Sequence, residues 1–188
     1  MCNSELIKEI VKLGEKYNCY IFNKRFFENN YTKLDMQNIL ANNSVKTPEI
    51  MDMNCIEKIE TPIFCKENKH AGIVLKTYTS NTLVKFLEKF NKKDFYLEKC
   101  INAKEELKIY YINKVIFSNG SITDNIKDIC KKISEKLFLD VFSADLIMDS
   151  KKDYYVIDIN PAAGFYMLDI ARKELINNIK NNINGWKV

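Results

Sequence analysis

The segment covering residues 141–164 constrains the fold of this 188-residue chain more than any other stretch. Its sequence, VFSADLIMDSKKDYYVIDINPAAG, contains two apolar runs, residues 141–148 and 154–159, on either side of the polar tetrad DSKK. Short apolar runs separated by turn-forming residues are typical of two adjacent strands. The segment therefore predicts a β-hairpin.

Three oxygen-bearing side chains lie within this hairpin. Asp145 interrupts the first run, and Asp158 and Asn160 are two residues apart in the second, so that a strand directs both to one face. Mg²⁺ prefers oxygen ligands and keeps some positions for water and phosphate. Because an isolated buried aspartate is costly, we favour a metal site over the alternative, an edge hairpin with solvated acids.

Composition and charge narrow the class of protein. The chain is 46% hydrophobic and 29% charged, as in ordinary soluble domains, and its length fits one large domain or two lobes that share a core. Its net charge of +4 comes almost entirely from scattered lysines, so we expect no DNA partner. No apolar run reaches the length of a membrane span, and the first residues lack the apolar core of a signal peptide.

The six cysteines form no CxxC pair, and several lie in apolar runs. This pattern is typical of packing residues in a reducing compartment, without disulfides or zinc. We therefore expect a cytoplasmic protein in which Cys65 and Cys100 are packing residues.

The rest of the chain alternates between helical and extended patterns, which predicts an α/β or α+β domain with a mostly antiparallel sheet. Helices are predicted over residues 4–16, 33–42, 81–90, 123–137 and 169–183. Strands are predicted over residues 19–22, 62–66, 72–76, 95–101 and 107–117, with a loop at residues 28–31.

Glycine-rich phosphate-binding signatures are absent from the sequence, but three lysines occupy positions where an anion would be favoured. Lys66 ends an apolar run, and Lys33 lies in the first turn of a predicted helix, where the helix dipole attracts negative charge. Lys108 lies within an apolar strand, which is costly for a charge unless it faces a ligand or a cleft. Each lysine alone is compatible with a surface position, but the three together with the acids predict a phosphate site.

Several segments together resemble the ATP-grasp superfamily, and within it the chain is most similar to the RimK-type glutamate ligases. The matching segments are the lysine-bearing helix and its following proline (residues 33–48), the strand ending in Lys66 (residues 61–66), the hinge strand (residues 95–101), the element Glu106-Leu107-Lys108, Asp145, and the signature DINPAAG (residues 158–164). Inositol-phosphate kinases of the same superfamily also carry IDIN and a lysine at the position of Lys108.

The resemblance implies an ATP-grasp fold of two lobes, each with a sheet and helices, that hold the nucleotide between them. The lobes would cover about residues 33–100 and 101–188 of an ATP-grasp domain spanning residues 23–188. Residues 1–22 would be a remnant of the N-terminal domain. A carboxylate or amine acceptor site would then be completed by a second copy in a homodimer, by a partner protein, or by a macromolecular substrate.

The resemblance also implies roles for individual residues. Lys33 and Lys66 would bind the α- and β-phosphates of ATP, and Lys108 would contact the γ-phosphate or the acceptor. The other implied nucleotide contacts are Glu98, Lys99, Cys100 and Ile101. Asp145, Asp158 and Asn160 would hold one or two Mg²⁺ ions, with Mn²⁺ as a substitute. Lys108, Asp158 and Asn160 would carry the catalysis.

The chain departs from the family at two places. The glycine-rich loop that closes over the phosphates is reduced to residues 67–72, ENKHAG, and a short lid shields the γ-phosphate poorly from water. Lys108 replaces an arginine, which removes bidentate recognition of a carboxylate or phosphate.

Three functions are compatible with these features. The first is an ATP-dependent carboxylate–amine ligase that acts through an acyl phosphate on amino acid or peptide acceptors. The second is a kinase that phosphorylates a hydroxyl of a small molecule, such as an inositol or sugar phosphate. The third is a nucleotide-binding module with little catalysis that works with a partner protein.

Overall fold

The computed structural model describes residues 4–17, 20–59, 61–69, 72–162 and 169–184. Its helices are α1 (Ser4–Lys16), α2 (Lys24–Asn29), α3 (Lys33–Asn42), α4 (Ser80–Leu87), α5 (Asp124–Leu137) and α6 (Asp169–Asn184). Its strands are β1 (Ile50–Met51), β2 (Ile63–Glu67), β3 (Val74–Thr77), β4 (Phe95–Lys99), β5 (Glu105–Ile112), β6 (Val115–Ser118), β7 (Val141–Met148) and β8 (Tyr154–Asn160).

Within these ranges the strands form two four-stranded sheets, and every pairing is antiparallel. The N-terminal sheet has the order β1-β4-β2-β3, and the C-terminal sheet has the order β6-β5-β7-β8. The α+β class and the antiparallel pairing predicted from the sequence are confirmed, as is the hairpin formed by β7 and β8.

Each sheet buries one face against helices. Ile63, Cys65 and Leu97 of the N-terminal sheet are buried with Leu83 and Leu87 of α4. The C-terminal sheet packs Leu107, Ile109, Ala144 and Leu146 against the apolar positions of α5, which are Ile126, Ile129, Cys130, Ile133 and Leu137. These positions recur every three or four residues and therefore form one stripe along the helix. Each fully buried leucine or isoleucine contributes about 1.5–3 kcal/mol.

Helix α3 has a well-defined start. The Thr32 side chain accepts a hydrogen bond from the Asp35 amide, and the Asp35 carboxylate accepts one from the Thr32 amide, which forms a capping box. Met36 and Leu40 of the same helix belong to the core beneath the C-terminal sheet. The cap and the two buried side chains together fix the position of Lys33 in the first turn.

A β-bulge at Ile157 determines which side chains of β8 face the core. Asp158 pairs with Asp145 and Val156 pairs with Leu146, so Ile157 is an extra residue between two pairs. In a regular strand Val156 and Asp158 would share a face. The extra residue separates them, so Val156 is buried in the core while Asp158 lines a cleft.

The predicted strand over residues 19–22 is wrong where it can be compared with the structure, and its first residue lies outside the described residues. Tyr20 and Ile21 are irregular, and Asn23 has a left-handed backbone with φ of 57°. The Asn23 amide group donates to the carbonyl oxygens of Val141 and Pro161, at 2.5 and 2.8 Å. These bonds fasten the segment to the C-terminal sheet and end any extended run. Helix α2 follows and includes part of the predicted loop.

The predicted strand over residues 107–117 is two strands, β5 and β6, joined by a tight turn. The turn residues Asn113 and Lys114 both have positive φ, at 45° and 74°. Such turns usually carry Asn-Gly, and without a glycine the apolar run was predicted as continuous. Several boundaries also differ. Thr79 caps α4 in place of Ser80, α4 ends at Leu87 in place of residue 90, and β4 ends at Lys99 in place of Ile101.

Candidate functional site

The inner faces of the two sheets and the start of α3 line a cleft of about 760 Å³. This volume is within the usual range of small-molecule sites, about 300–1,000 Å³. Seven of the residues predicted to form a site line it: Lys33, Lys66, Glu98, Lys99, Cys100, Ile101 and Asp158. Asp145 and Lys108 lie opposite each other on the same face of the C-terminal sheet as Asp158.

The N-terminal sheet contributes a buried ion pair to the cleft. Lys66 Nζ lies 2.6 Å from Glu98 Oε2, and the Glu98 side chain is only 1% exposed. The other carboxylate oxygen, Oε1, accepts a hydrogen bond from Gln37 Nε2 of α3. Lys66 Nζ also donates to the carbonyl oxygen of Ile157, at 3.0 Å, so the lysine connects the two sheets.

Helix α3 and the C-terminal sheet are joined by a second ion pair. Lys33 Nζ lies 2.8 Å from Asp158 Oδ1. The lysine is held by the first turn of the helix, and the aspartate is held in position by the bulge at Ile157. The ammonium group is mostly buried, and the carboxylate is more than one third exposed.

The proposed metal ligands lie next to each other on the C-terminal sheet. Asp145 and Asp158 are directly opposite on β7 and β8, and Asn160 lies two residues beyond Asp158. Lys108 Nζ pairs with Asp145 Oδ1 at 2.7 Å. The Asn160 side-chain oxygen accepts the Ala162 amide at 3.0 Å and keeps a second lone pair. Two carboxylates and one amide oxygen fit a hard cation such as Mg²⁺.

The proposed metal ligands are two carboxylates and one amide, and not a cluster of acidic side chains alone. No group of three or more His, Cys, Asp or Glu side chains converges as a metal site within the described part of the chain. The trio becomes complete only when the amide oxygen of Asn160 is counted. The rest of its sequence signature, Ala163 and Gly164, lies outside the described residues.

The segment after β4 forms one wall of the cleft. The amide of Cys100 donates to the Pro62 carbonyl oxygen at 3.0 Å, and that of Lys99 donates to the Glu49 carbonyl oxygen at 3.0 Å. Lys99 Nζ also pairs with the Glu49 carboxylate at the surface. The backbone of this segment is therefore well fixed. The side chain of Glu98 is engaged by Lys66 and Gln37, so any adenine contact there would involve the backbone.

The short loop between β2 and β3 folds back on itself. Glu67 accepts the Ile73 amide at 3.0 Å and pairs with Lys69. Asn68 Oδ1 accepts the Leu34 amide at 2.8 Å, which attaches the loop to the first turn of α3. The middle of the predicted lid, His70 and Ala71, lies outside the described residues.

Tyr96 lies between the two charged pairs. It is 4% exposed and lines a small space with Lys33, Gln37 and Asp158. Burial is the main cause that raises the pKa of its phenol, and the neighbouring carboxylates of Glu98 and Asp158 raise it further. The phenol is therefore neutral at physiological pH and can act only through hydrogen bonds.

Sequence reasoning missed Gln37, Asn68, Tyr96 and Ile157 as parts of this site. The sequence gives no signal of the bulge, because Val156, Ile157 and Ile159 are all apolar and Ile157 and Ile159 have the spacing of a regular strand. The contacts of Gln37 and Asn68 join residues distant in sequence, and no local pattern indicates them.

Comparison with known proteins agrees with this architecture. Residues 40–181, more than half of the chain, match the family described as the inositol 1,3,4-trisphosphate 5/6-kinase ATP-grasp domain. The chain belongs to this ATP-grasp family. The matched range includes Lys66, Lys108, Asp145, Asp158 and Asn160, and Lys33 precedes it. A search of curated protein sequences finds no significant match.

Solved structures with this fold include several ligases. The ATP-grasp ligase PsnB, complexed with a phosphomimetic variant of its minimal precursor, Mg and ADP, superposes with a TM-score of 0.74 at 15% identity, over 96% of this chain and 68% of PsnB. D-alanine–D-alanine ligase from Bacillus anthracis, complexed with ATP, gives 0.66 at 18% identity over 80% of this chain and 63% of the ligase. L-amino acid ligase from Bacillus licheniformis gives 0.63 at 17% identity over 82% and 46%.

These comparisons confirm the ATP-grasp fold predicted from the sequence. At such low identities the ligase structures support the fold and not the reaction. The expected likeness to RimK-type ligases is not among the confirmed features, because the matching family is named for a kinase. Among the helices that the structure describes, none combines the length and apolar character needed to cross a bilayer.

Proposed function

We propose that this ATP-grasp domain is an ATP- and Mg²⁺-dependent carboxylate–amine ligase. The observation that carries the proposal is the convergence of three lysine–carboxylate pairs on the two inner sheet faces and the start of α3. These pairs are Lys66–Glu98, Lys33–Asp158 and Lys108–Asp145. The neighbouring ligases whose structures contain ATP, or Mg and ADP, support the choice of nucleotide and metal.

The nucleotide would lie between the sheets. Phe64, Ile101 and Ile147 give the cleft an apolar part suited to a purine ring. The backbone between Lys99 and Ile101 would meet the edge of that ring, although the amides of Lys99 and Cys100 already donate to Glu49 and Pro62. The phosphates would then lie towards Lys33 and Lys66, whose ammonium groups enter from α3 and β2.

Asp145, Asp158 and Asn160 would hold one or two Mg²⁺ ions, with Mn²⁺ as a substitute. When bound, the metal neutralises the negative charge that develops on the transferred phosphoryl group. The lysines that pair with the two aspartates would be released towards the phosphate oxygens. Lys33 would then contact the nucleotide, and Lys108 would contact the γ-phosphate or the acceptor.

The reaction would proceed in two steps. An oxygen of the substrate carboxylate attacks the γ-phosphorus, the bond to the bridging oxygen breaks, and ADP leaves with an acyl phosphate remaining. An amine then attacks the acyl carbon, inorganic phosphate leaves, and the amine loses a proton to give an amide. The chain contributes mainly positioning and electrostatic stabilisation, by Lys33, Lys66 and Lys108.

The charge of the cleft favours a carboxylate acceptor over a polyphosphate. Lys33, Lys66 and Lys99 line the cleft and are each paired with an acid. Lys76 forms no ion pair within the described ranges, and it packs over the rings of Phe64 and Tyr78. Once Lys33 and Lys66 bind the phosphates of ATP, Lys76 and Lys108 would remain for the acceptor, and a substrate with several phosphates would need more cations than these. An amino acid or peptide carboxylate carries one charge and needs fewer.

A kinase is the second candidate, and the family match favours it. In that case a hydroxyl of an inositol or sugar phosphate would attack the γ-phosphorus and would keep the phosphoryl group. The same lysines and carboxylates would serve both reactions, since the first step differs only in the attacking oxygen.

Hydroxylamine separates the two candidates because it replaces the amine and converts an acyl phosphate into a hydroxamate. Purified protein would be incubated with Mg²⁺–ATP, hydroxylamine and pools of amino acids and peptides, and in parallel with inositol and sugar phosphates. ADP release together with a hydroxamate supports the ligase, and ADP release with a phosphorylated alcohol supports the kinase. Asp158→Asn is the control for contaminating activity.

ATP binding without ADP release in any acceptor pool would contradict both reactions and would support a nucleotide-binding module. The acceptor surface would, in our proposal, be completed by a second copy of the chain or by a partner protein. Repeating the acceptor screen at protein concentrations on either side of any dimerisation midpoint tests the first of these possibilities.

A further inference from the structure

We propose that Gln37 is a positioning residue that holds the two phosphate-binding lysines in register. It holds Lys66 through the carboxylate of Glu98, and it lies on the same helix as Lys33. This inference rests on the proposed nucleotide function of the cleft. Neither the family match nor the structural comparisons assign a role to this glutamine.

Gln37 lies one helical turn after Lys33, so the two side chains leave α3 from the same side. The Gln37 residue is 8% exposed. Its Nε2 donates to Glu98 Oε1, and Glu98 Oε2 pairs with Lys66 Nζ at 2.6 Å. Each oxygen of the carboxylate thus has its own donor, one from α3 and one from β2.

The contacts form a closed ring across helix α3 and the strands β2, β4 and β8. From Lys66 the ring continues to the Ile157 carbonyl oxygen, at 3.0 Å, on the strand that carries Asp158. Asp158 then pairs with Lys33 at 2.8 Å, which returns the ring to α3. Gln37 closes this ring, because its bond to Glu98 joins α3 to the N-terminal sheet.

Donors on both oxygens, together with the neighbouring Tyr96 phenol, orient the Glu98 carboxylate. Without the donor from Gln37, the Glu98 carboxylate could rotate about its last torsion, which has a broad energy well. Lys66 would then be held by one rotating partner and by a carbonyl oxygen. The ammonium group would sample several positions, only some of which would meet a phosphate.

The polar character of Gln37 is costly at this position. Its Oε1 atom is buried and has no hydrogen-bond partner within the described residues. Turning the amide over would direct this oxygen at the Glu98 carboxylate, so the orientation with Nε2 towards Glu98 is the favourable one. The neighbouring buried residues of α3, Met36 and Leu40, are apolar. An apolar side chain would fill the position at lower cost, so the contribution of the amide is its bond to Glu98.

The test compares Gln37→Met, which keeps length and volume but removes the donor, with the wild-type chain. Asn38→Met is the matched control, because Asn38 is exposed on the same helix. Dissociation constants for ATP, ADP and adenosine are measured by calorimetry in the presence of Mg²⁺. Thermal unfolding without ligand shows whether each variant is folded.

Gln37→Met is expected to weaken ATP and ADP binding about tenfold, the usual effect of losing one hydrogen bond to a charged group. Adenosine lacks phosphates, so its affinity should change by less than about twofold. In a Lys66→Ala background the same substitution should add less than about twofold, because the lysine through which it acts is gone. A residue that only packs would weaken all three ligands and would act independently of Lys66.

The outcomes are distinguishable. Equal losses for adenosine and ATP, or the full loss retained in the Lys66→Ala background, would overturn the positioning role while leaving nucleotide binding in place. Unchanged ATP affinity in a folded Gln37→Met variant would overturn it as well. A wild-type chain that binds no ATP would refute the proposed function, and the nucleotide role of Gln37 with it.

Discussion

The two sheets each direct a lysine–carboxylate pair towards the cleft, but they bury these pairs to different extents. In the N-terminal sheet, the side chains of Lys66 and Glu98 are 12% and 1% exposed. In the C-terminal sheet, those of Lys108 and Asp145 are 29% and 37% exposed. The first pair lies beside α3 and Tyr96, whereas the second is more accessible to solvent.

The difference in burial gives the two lysine–carboxylate pairs different expected roles. A buried pair cannot lose one partner without leaving an uncompensated charge, so it acts as a fixed element of the site. A more exposed pair costs little to separate, because water replaces each partner. In the proposed function, the C-terminal carboxylates would therefore exchange a lysine for a metal ion, and the N-terminal carboxylate would remain bound to its lysine.

The largest expected effect is on stability, from a substitution in the buried pair. Glu98→Gln removes the charge that compensates Lys66 and should lower the free energy of unfolding by about 3 kcal/mol. Urea denaturation followed by circular dichroism measures it. Glu49→Gln is the matched control, since its pair with Lys99 is exposed and should be worth less than about 1 kcal/mol. Equal losses for both variants would remove the distinction between the sheets.

Asp158→Asn, in contrast, should affect turnover more than stability. Turnover should fall about 100-fold or more, because a charged ligand at the transferring phosphoryl group is lost. The free energy of unfolding should fall less than in Glu98→Gln, since the Asp158 carboxylate is more than one third exposed, although its partner Lys33 is mostly buried. Steady-state ADP release and urea denaturation measure the two quantities.

The control for this substitution is Asp153→Asn, in the same hairpin, whose pair with Lys46 lies at the surface. It should leave turnover unchanged. If Asp158→Asn retained normal turnover, the assignment of the metal ligands would be wrong, and so would the idea that the exposed pairs exchange partners.

Lys108→Gln should have a smaller effect on activity. The ammonium group pairs with Asp145 at 2.7 Å, and in the proposed function it would contact the γ-phosphate or the acceptor. Its loss should lower turnover about tenfold, as for one charge-assisted contact, with little change in unfolding free energy. ADP release at saturating ATP measures it. A loss of stability as large as that of Glu98→Gln would show that this pair is also structural.

The smallest expected effect concerns two buried cysteines, Cys65 of β2 and Cys130 of α5, whose thiols should be equally unreactive. Burial raises the pKa of the Cys65 thiol to about 11 and that of Cys130 to about 12. The reactive thiolate is therefore scarce at pH 8, and both cysteines should resist iodoacetamide in the folded protein. Peptide mass spectrometry after alkylation with and without denaturant measures this. Rapid labelling of one of the two would show that its core opens more readily.

Local patterns in the sequence are sufficient to predict the strands that carry most of the candidate site. The apolar runs around Asp149 predicted the β7–β8 hairpin, and the run before Lys66 predicted β2. Lys66, Lys108 and the two aspartates are candidates because each is a charge in or at the end of an apolar run, and Lys33 because it lies in the first turn of a predicted helix. The structure brings all five to the inner faces of the sheets and the start of α3.

Features that depend on long-range contacts were not visible. Asn23 bonds to Val141, 118 positions away, and its left-handed backbone replaces a predicted strand. Gln37 meets Glu98 across 61 positions. A polar residue in an amphipathic helix gives no indication of its partner before the chain has folded, so the ring of contacts could not be predicted from the sequence.

Calorimetric titration with ATP, in the presence and absence of Mg²⁺, is the most direct measurement. If the more exposed carboxylates exchange their lysines for a metal, ATP should bind in the micromolar range with Mg²⁺ and at least about tenfold more weakly without it. Asp158→Asn should remove this dependence on Mg²⁺ while retaining the weaker binding. No ATP binding under either condition, or equal affinity with and without Mg²⁺, would contradict the proposed site.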